Sequence, residues 1–150
     1  MEIYKNILLE EERINILKFV KHKVKNLGED FPGLQSDPNL HTFEEFKIFI
    51  EKIKKYLKNY RIYRCWANYS CGDYINFHNH PKPVVKSLVY FLENKNNLGP
   101  IFLEKRGSFL RVNMLECPEN SLLIFDGNKD HSVPCHLKED RYSIALDLII

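Results

Sequence analysis

Along the first sixty residues apolar side chains recur at intervals of three and four, and from residue 61 onward they recur at intervals of two. The first pattern predicts helices. Over residues 9–27, Ile16, Leu17, Val20, Val24 and Leu27 share a face, behind Glu10, Glu11 and Glu12 in the first turn, where the helix dipole favours negative charge. Lys23, Lys25 and then Gly28 read as the stop. Pro32, Gly33 and Pro38 make residues 28–41 an irregular connection. Thr42 with Glu45 three residues on has the form of a capping box opening a second helix, whose stripe is Phe46, Phe49, Ile50, Ile53 and Leu57. Lys54, Lys55 and Lys58 then sit at its negative end.

The second pattern predicts eight strands, near residues 61–69, 73–80, 84–92, 100–105, 108–114, 121–125, 131–135 and 141–149. Lys105-Arg106-Gly107-Ser108 reads as the hairpin turn between the fourth and fifth. Helices followed by many short strands give an α+β class: a sandwich or jelly roll with two N-terminal helices packed on one sheet. At 150 residues the expectation is one domain, 1–150, with a helical part at 1–60 and a jelly-roll core at 61–150.

Composition narrows the function. A formal charge of +2, with lysines scattered and no aromatic-basic stripe, gives no case for nucleic acid. No apolar run reaches signal-peptide or membrane-spanning length, so the expected setting is soluble and intracellular. Cys65, Cys71, Cys117 and Cys135 show no Cys-x-x-Cys spacing and read as unbridged, mostly buried thiols. Cys135-His136 follows His131 closely, but neighbours on a strand face opposite sides, so both cannot serve one ion.

Candidate chemistry begins at Gly72-Asp73-Tyr74-Ile75-Asn76-Phe77-His78-Asn79-His80-Pro81. On a strand, His78 and His80 point the same way, and two imidazoles on one face can converge on one metal ion. The bland alternative is a polar strand end with two solvated histidines. His131, after the apolar run Leu122-Leu123-Ile124-Phe125 and a polar turn, offers a third imidazole. In the last strand, alternation puts Arg141 and Ser143 on one face and Tyr142, Ile144, Leu146 and Leu148 on the other. An arginine aimed inward calls for an anion, and its planar fork suits a carboxylate to which Ser143 can add a hydroxyl. Its bland alternative is a surface salt bridge to Glu139 or Asp140. Asp73, Asp126 and Asp130 stand at odd spacings from the histidines; Asp147 shares the face of Arg141 but lies about 20 Å further along a regular strand. Simple alternation therefore places no carboxylate beside the imidazoles.

From Tyr69 to the end the chain resembles the 2-oxoglutarate- and Fe(II)-dependent oxygenases, and more closely the small prolyl-4-hydroxylase-like oxygenases of phages and bacteria. The matching pieces are Trp66-Ala67-Asn68-Tyr69, Gly72 with His78-Asn79-His80-Pro81, Leu88-Val89-Tyr90-Phe91-Leu92, Gly99-Pro100-Ile101, Leu123-Ile124-Phe125, His131-Ser132-Val133-Pro134 and Arg141-Tyr142-Ser143. Gly33-Leu34-Gln35-Ser36 and Asn39-Leu40-His41 resemble the region ahead of the barrel in the closer relatives. The resemblance implies a double-stranded β-helix that holds Fe(II), with His78 and His131 among its ligands. It implies 2-oxoglutarate as cosubstrate, its distal carboxylate held by Arg141, Ser143 and Tyr69. The implied reaction hydroxylates a C–H bond with O2 while 2-oxoglutarate is decarboxylated to succinate. The implied substrate is a prolyl residue in a peptide, with a small molecule, another amino-acid side chain or a nucleobase as alternatives, and the expected location is cytoplasmic, the host cytoplasm for a phage-encoded chain. Residues 28–41 and 93–99 are the expected walls of the substrate entrance.

One position departs from the motif. The family has a carboxylate two residues after the first histidine, and here that residue is His80: the third ligand of a His78, His80 and His131 site, a residue beside a two-histidine site, or a mark of lost oxygenase chemistry. A neutral ligand there leaves the metal centre one charge more positive. The spacing Gly72, His78, His80 also fits the opening of a cupin motif, although Pro83, Val84 and Val85 stand where a cupin expects a glutamate. A cupin-type three-histidine metal enzyme is thus one alternative, and a jelly-roll binding or phage accessory module without catalysis is another. Arg141 with Ser143 favours the oxygenase.

Overall fold

A computed structural model of the chain describes residues 1–28, 32–72, 74–106, 109–133 and 138–150. In chain order its elements are β1 (Glu2–Lys5), α1 (Glu10–Lys23), β2 (Leu34–Gln35), two 3₁₀ turns (Leu40–Thr42 and Glu44–Phe46), α2 (Lys47–Leu57), β3 (Arg61–Ser70), β4 (Ile75–His78), β5 (Lys86–Asn94), β6 (Leu98–Arg106), β7 (Phe109–Glu116), β8 (Ser121–Asp126), β9 (His131–Val133) and β10 (Arg141–Ile149). Among the described residues the strands form two antiparallel sheets, ordered β1-β8-β5-β10-β3-β2 and β4-β9-β6-β7. This is the jelly-roll arrangement, two facing sheets with helices on the outside of one. The expected turn at 105–108 contains Gly107 and Ser108, which lie outside the described residues, while the strands flanking it pair as a hairpin, Arg106 opposite Phe109. Cys135 and His136 also lie outside them.

The large sheet separates two apolar layers. On its outer face Ile16, Val20, Phe46, Phe49 and Ile53 of the helical part pack against Cys65, Ala67, Leu88, Tyr90, Ile144 and Leu146. Phe49 meets Tyr90 with ring centroids 5.1 Å apart. On the inner face Phe91, Leu123 and Phe125 meet Phe102 and Cys117, closing the space between the sheets. Strand β10 is central to this division because it pairs with β3 on one side and β5 on the other.

Three local expectations are corrected. Helix α1 stops at Lys23 rather than near residue 27, because Lys25 leaves the helix to exchange both backbone hydrogen bonds with Gln35, at 3.1 and 2.9 Å. Thr42 does not cap α2: it ends a 3₁₀ turn and its Oγ1 donates to Asn39 O at 2.7 Å, while α2 begins at Lys47 without a side-chain cap. Strands β1 and β2 were not predicted, being four and two residues long and lying at the two edges of the large sheet, where alternation has little length in which to show.

The N-terminal segment is stapled to the large sheet by Asn120, which holds φ +63° in the turn before β8; among the described residues the two sheets do not close into a barrel. Its Oδ1 accepts from Leu8 N (2.9 Å) and from the Tyr90 hydroxyl (2.8 Å), and its Nδ2 donates to Leu8 O (2.8 Å). Replacement Asn120→Ala removes these bonds and leaves a β-carbon in the left-handed region, for an expected loss of about 2–4 kcal/mol in urea unfolding. Asn120→Gly should recover the backbone part of that loss and not the hydrogen-bonded part.

Candidate active site

The histidine segment is positioned by backbone pairing. Strand β4 ends at His78, which stands directly opposite His131 of β9. His80 lies two residues beyond the strand, where alternation no longer governs it, and is held instead by its N–H to Gly127 O at 2.8 Å. Gly127 sits so close to Val84 that an added β-carbon would fall 2.9 Å from Val84 Cγ1. A glycine there lets the turn after β8 approach the histidine segment. Asn79 ties the same two segments, its Nδ2 donating to Asp130 Oδ1 at 2.8 Å.

The result brings together the three predicted imidazoles: a ring nitrogen of each of His78, His80 and His131 lies within 4.8 Å of the other two. Each ring is held from behind through Nδ1. His78 Nδ1 faces Asn76 O at 2.8 Å, His131 Nδ1 faces Lys129 O at 2.9 Å, and His80 Nδ1 faces the carboxylate of Asp147. Those oxygens only accept, so a neutral ring in each place donates through Nδ1 and turns its Nε2 lone pair toward the cluster. Three imidazoles so turned form a donor set suited to Fe(II), Co(II), Ni(II) or Zn(II).

Asp147 is the residue that strand arithmetic set aside. It does lie far along β10 from Arg141, yet it stands directly beside His80, because the chain returns to that end of the strand after β4. It is completely buried. Its Oδ1 takes His80 Nδ1 and the Ser87 hydroxyl (3.1 Å), and its Oδ2 takes Arg64 through Nε (3.1 Å) and Nη2. Burial alone pushes the carboxyl's pKa up, but His80 and Arg64 outweigh it and hold it below the ordinary value. A charged residue within the apolar run Ile144-Ala145-Leu146-Asp147-Leu148 was the available signal, since a buried carboxylate requires partners.

Arg141 and Ser143 are both buried on the inner face, so Arg141 is no surface residue bound to Glu139 or Asp140; its guanidinium lies over the Phe91 ring, 5.4 Å from the centroid. One cavity of about 130 Å³ is lined by the three histidines and by Arg141, Ser143 and Asn68. Tyr69 borders that cavity but pairs in register with Tyr142 on the helix side of β10. Its ring packs on Tyr142 with centroids 4.8 Å apart, and its hydroxyl donates to Asp140 at 2.8 Å. The phenol therefore points away from Arg141 and Ser143. Asn68, in register with Ser143 and accepting from Gln35 Nε2 at 2.8 Å, holds the inward position expected of Tyr69.

A second, open groove of about 340 Å³ shares His78, His80, Trp66 and Gln35 with the first and adds Pro38 and Arg64. Part of the expected entrance, residues 28–41, contributes to its wall. Residues 93–99 line neither cavity, because Asn94 Nδ2 binds Leu98 O and Cys117 O at 3.0 and 2.7 Å and closes that turn elsewhere.

The sequence matches no known protein-family profile and no curated protein. The fold, however, is that of the 2-oxoglutarate-Fe(II) oxygenases. HygX from Streptomyces hygroscopicus, solved with nickel and 2-oxoglutarate, superposes with a TM-score of 0.77 at 8% identity, over 98% of this chain and 81% of that one. A Burkholderia pseudomallei oxidoreductase of the 2OG-Fe(II) oxygenase family gives 0.75 at 12% identity, over 97% and 81%. A prolyl hydroxylase from Trichoplax adhaerens, in complex with a hypoxia-inducible-factor peptide fragment, gives 0.70 at 16%, over 99% and 82%. No helix among the described residues is long and apolar enough to cross a membrane.

Burial lowers the pKa of His131 to about 4, with the neighbouring His78 and His80 adding to the effect. The ring is therefore neutral at physiological pH, the form that binds a metal. In the unfolded chain it protonates below its ordinary value of 6.5, so the unfolded state binds the extra proton and metal-free stability falls as pH drops from 6.5 through about 4. Urea unfolding of the metal-free protein should lose about 3 kcal/mol over that window through this group, and His131→Gln should flatten the dependence.

Proposed function

We propose that the protein is a 2-oxoglutarate- and Fe(II)-dependent oxygenase that hydroxylates a C–H bond of a substrate entering along the open groove. The observation that carries this reading is a single cavity with three converging imidazoles and, in the same space, a buried arginine and serine. His78, His80 and His131 would hold the metal. Arg141, with Ser143 beside it, would hold the far carboxylate of 2-oxoglutarate, since a guanidinium fork matches a carboxylate and the apolar surroundings of Phe91 and Val89 strengthen the attraction. When bound, Fe(II) and 2-oxoglutarate supply the oxidising chemistry, in which one O2 is consumed and the hydroxylated substrate, succinate and CO2 are released. The chain's part is to orient the three rings, neutralise the cosubstrate and keep water from its apolar walls.

The groove formed by Gln35, Ser36, Pro38, Trp66 and Pro81 runs up to His78 and His80 and opens to solvent. A peptide is therefore the substrate class we favour, in keeping with the peptide carried by the Trichoplax enzyme. The all-histidine donor set supports a second reading, a three-histidine metal enzyme of cupin type that does not use 2-oxoglutarate.

Anaerobic Fe(II) and 2-oxoglutarate should together give a visible charge-transfer band, and air should then convert 2-oxoglutarate to succinate even without substrate. Arg141→Ala should raise the 2-oxoglutarate concentration for half-saturation by about 10- to 100-fold, the worth of a charged hydrogen-bonded contact, and leave metal affinity within about twofold. His131→Ala should abolish the band. Metal binding without band or succinate would select the cupin-type reading, and no metal binding would leave a non-catalytic module.

A further inference from the structure

Behind His80 stands a connected set of side chains that a pair of solvated histidines would not need. Asp147 has both oxygens occupied twice, by His80 and Ser87 on one side and by Arg64 on the other. Arg64 and His80 both rest on Trp66, the guanidinium 5.6 Å from the indole centroid and the imidazole stacked at 6.1 Å with an interplanar angle of 25°. The backbone is adapted to this: β3 and β10 shift register immediately after the Arg64–Asp147 pair, so that Leu148 faces Ile62 and Tyr63 is left over. A bulge at that point re-aims the flanking side chains. By contrast, Nδ1 of His78 and of His131 faces a backbone carbonyl two residues back in the chain rather than a side chain.

We propose that Arg64 and Asp147 are positioning residues for the metal centre, and that they make His80 a working ligand at a position where a direct carboxylate would otherwise be expected. This deepens the metal-site reading above and rests on it. The argument is one of hydrogen-bond demand. His80 can present Nε2 as a lone pair only while Nδ1 carries the proton and has an acceptor in front of it. Arg64, facing the same group, can only donate. A carboxylate satisfies both, and a carboxamide satisfies one. With Asn at 147, an oxygen turned to Arg64 leaves an NH2 facing His80 Nδ1, which favours the tautomer with the proton on Nε2 and removes the ligand. An oxygen turned to His80 sets NH2 against guanidinium and frees Arg64, whose side chain is 42% exposed, to leave for water. Either way the ring loses its fixed orientation, and losses of such outer hydrogen-bond partners commonly loosen a metal by 10- to 100-fold.

The test is Co(II) affinity, by competition with a chromophoric chelator, together with the visible ligand-field spectrum of the Co(II)-loaded protein. Asp147→Asn should weaken Co(II) binding by about 10- to 100-fold and change the spectrum. Arg64→Leu should change both in the same direction and by less. In a His80→Ala background neither replacement should alter affinity by more than about twofold, because each acts through His80. Should Asp147→Asn fail to fold, as judged by circular dichroism of the metal-free protein, Arg64→Leu in the two backgrounds carries the test. Unchanged Co(II) affinity in Asp147→Asn, or equal losses with and without His80, would overturn the proposal while leaving the three-histidine site standing. If His80→Ala itself binds Co(II) as tightly and with the same spectrum as the unaltered protein, His80 is no ligand and both readings fall. Normal Co(II) results with no conversion of 2-oxoglutarate would remove the oxygenase reading alone.

Discussion

The two-sided pairing of β10 is the constraint on which the rest of the molecule depends. A strand hydrogen-bonded along both edges cannot slip by one residue without exchanging its two faces. Here the exchange would be ruinous. One face carries Tyr142, Ile144, Leu146 and Leu148 into the helices, and the other carries Arg141, Ser143, Ala145 and Asp147 into the space between the sheets. The same register that completes the outer core therefore sets Arg141 at the inner cavity and Asp147 behind His80, which lines that cavity. Stability and site geometry are selected together.

Burying those charges has a cost that only specific partners offset. Asp147 meets it with four hydrogen-bond contacts from three residues on three different segments. Arg141 lies against an aromatic face, in a cavity that opens toward the histidines. The histidine end of the cavity is backed by the Asp147 network, and the arginine end is walled by Phe91 and Val89.

The groove adjoining the histidines is built from different material. Gln35, Ser36 and Pro38 come from the connection between the helices, which is fastened to β3 through Ser36 N to Ala67 O (3.0 Å) and Ala67 N to the Ser36 hydroxyl (2.8 Å). The N-terminal part thus serves twice, covering the outer face of the large sheet and supplying one wall of the entrance. Trp66 links the two cavities, since its ring borders both and contacts both Arg64 and His80.

Much of this was legible in the amino-acid sequence by itself, because it depends on local periodicity. The switch from helical to strand spacing near residue 60, the stripe of α2 and the inward direction of Arg141 and Ser143 all follow from which neighbours along the chain are apolar. What the tertiary structure decided concerns relations between segments distant in sequence. Thr42 was read as a helix cap from a local motif, but the chain's return to β3 turned it into a 3₁₀ residue. Resemblance groups Tyr69 with Arg141, whereas antiparallel register sets it opposite Tyr142 with its hydroxyl on Asp140. Asp147 was placed out of reach along its own strand, yet it touches His80, sixty-seven residues earlier in the chain. A one-dimensional pattern specifies which side of its own element a residue faces. Only the packing of elements specifies what it meets there, and the interaction between Asp147 and His80 belongs entirely to that second kind.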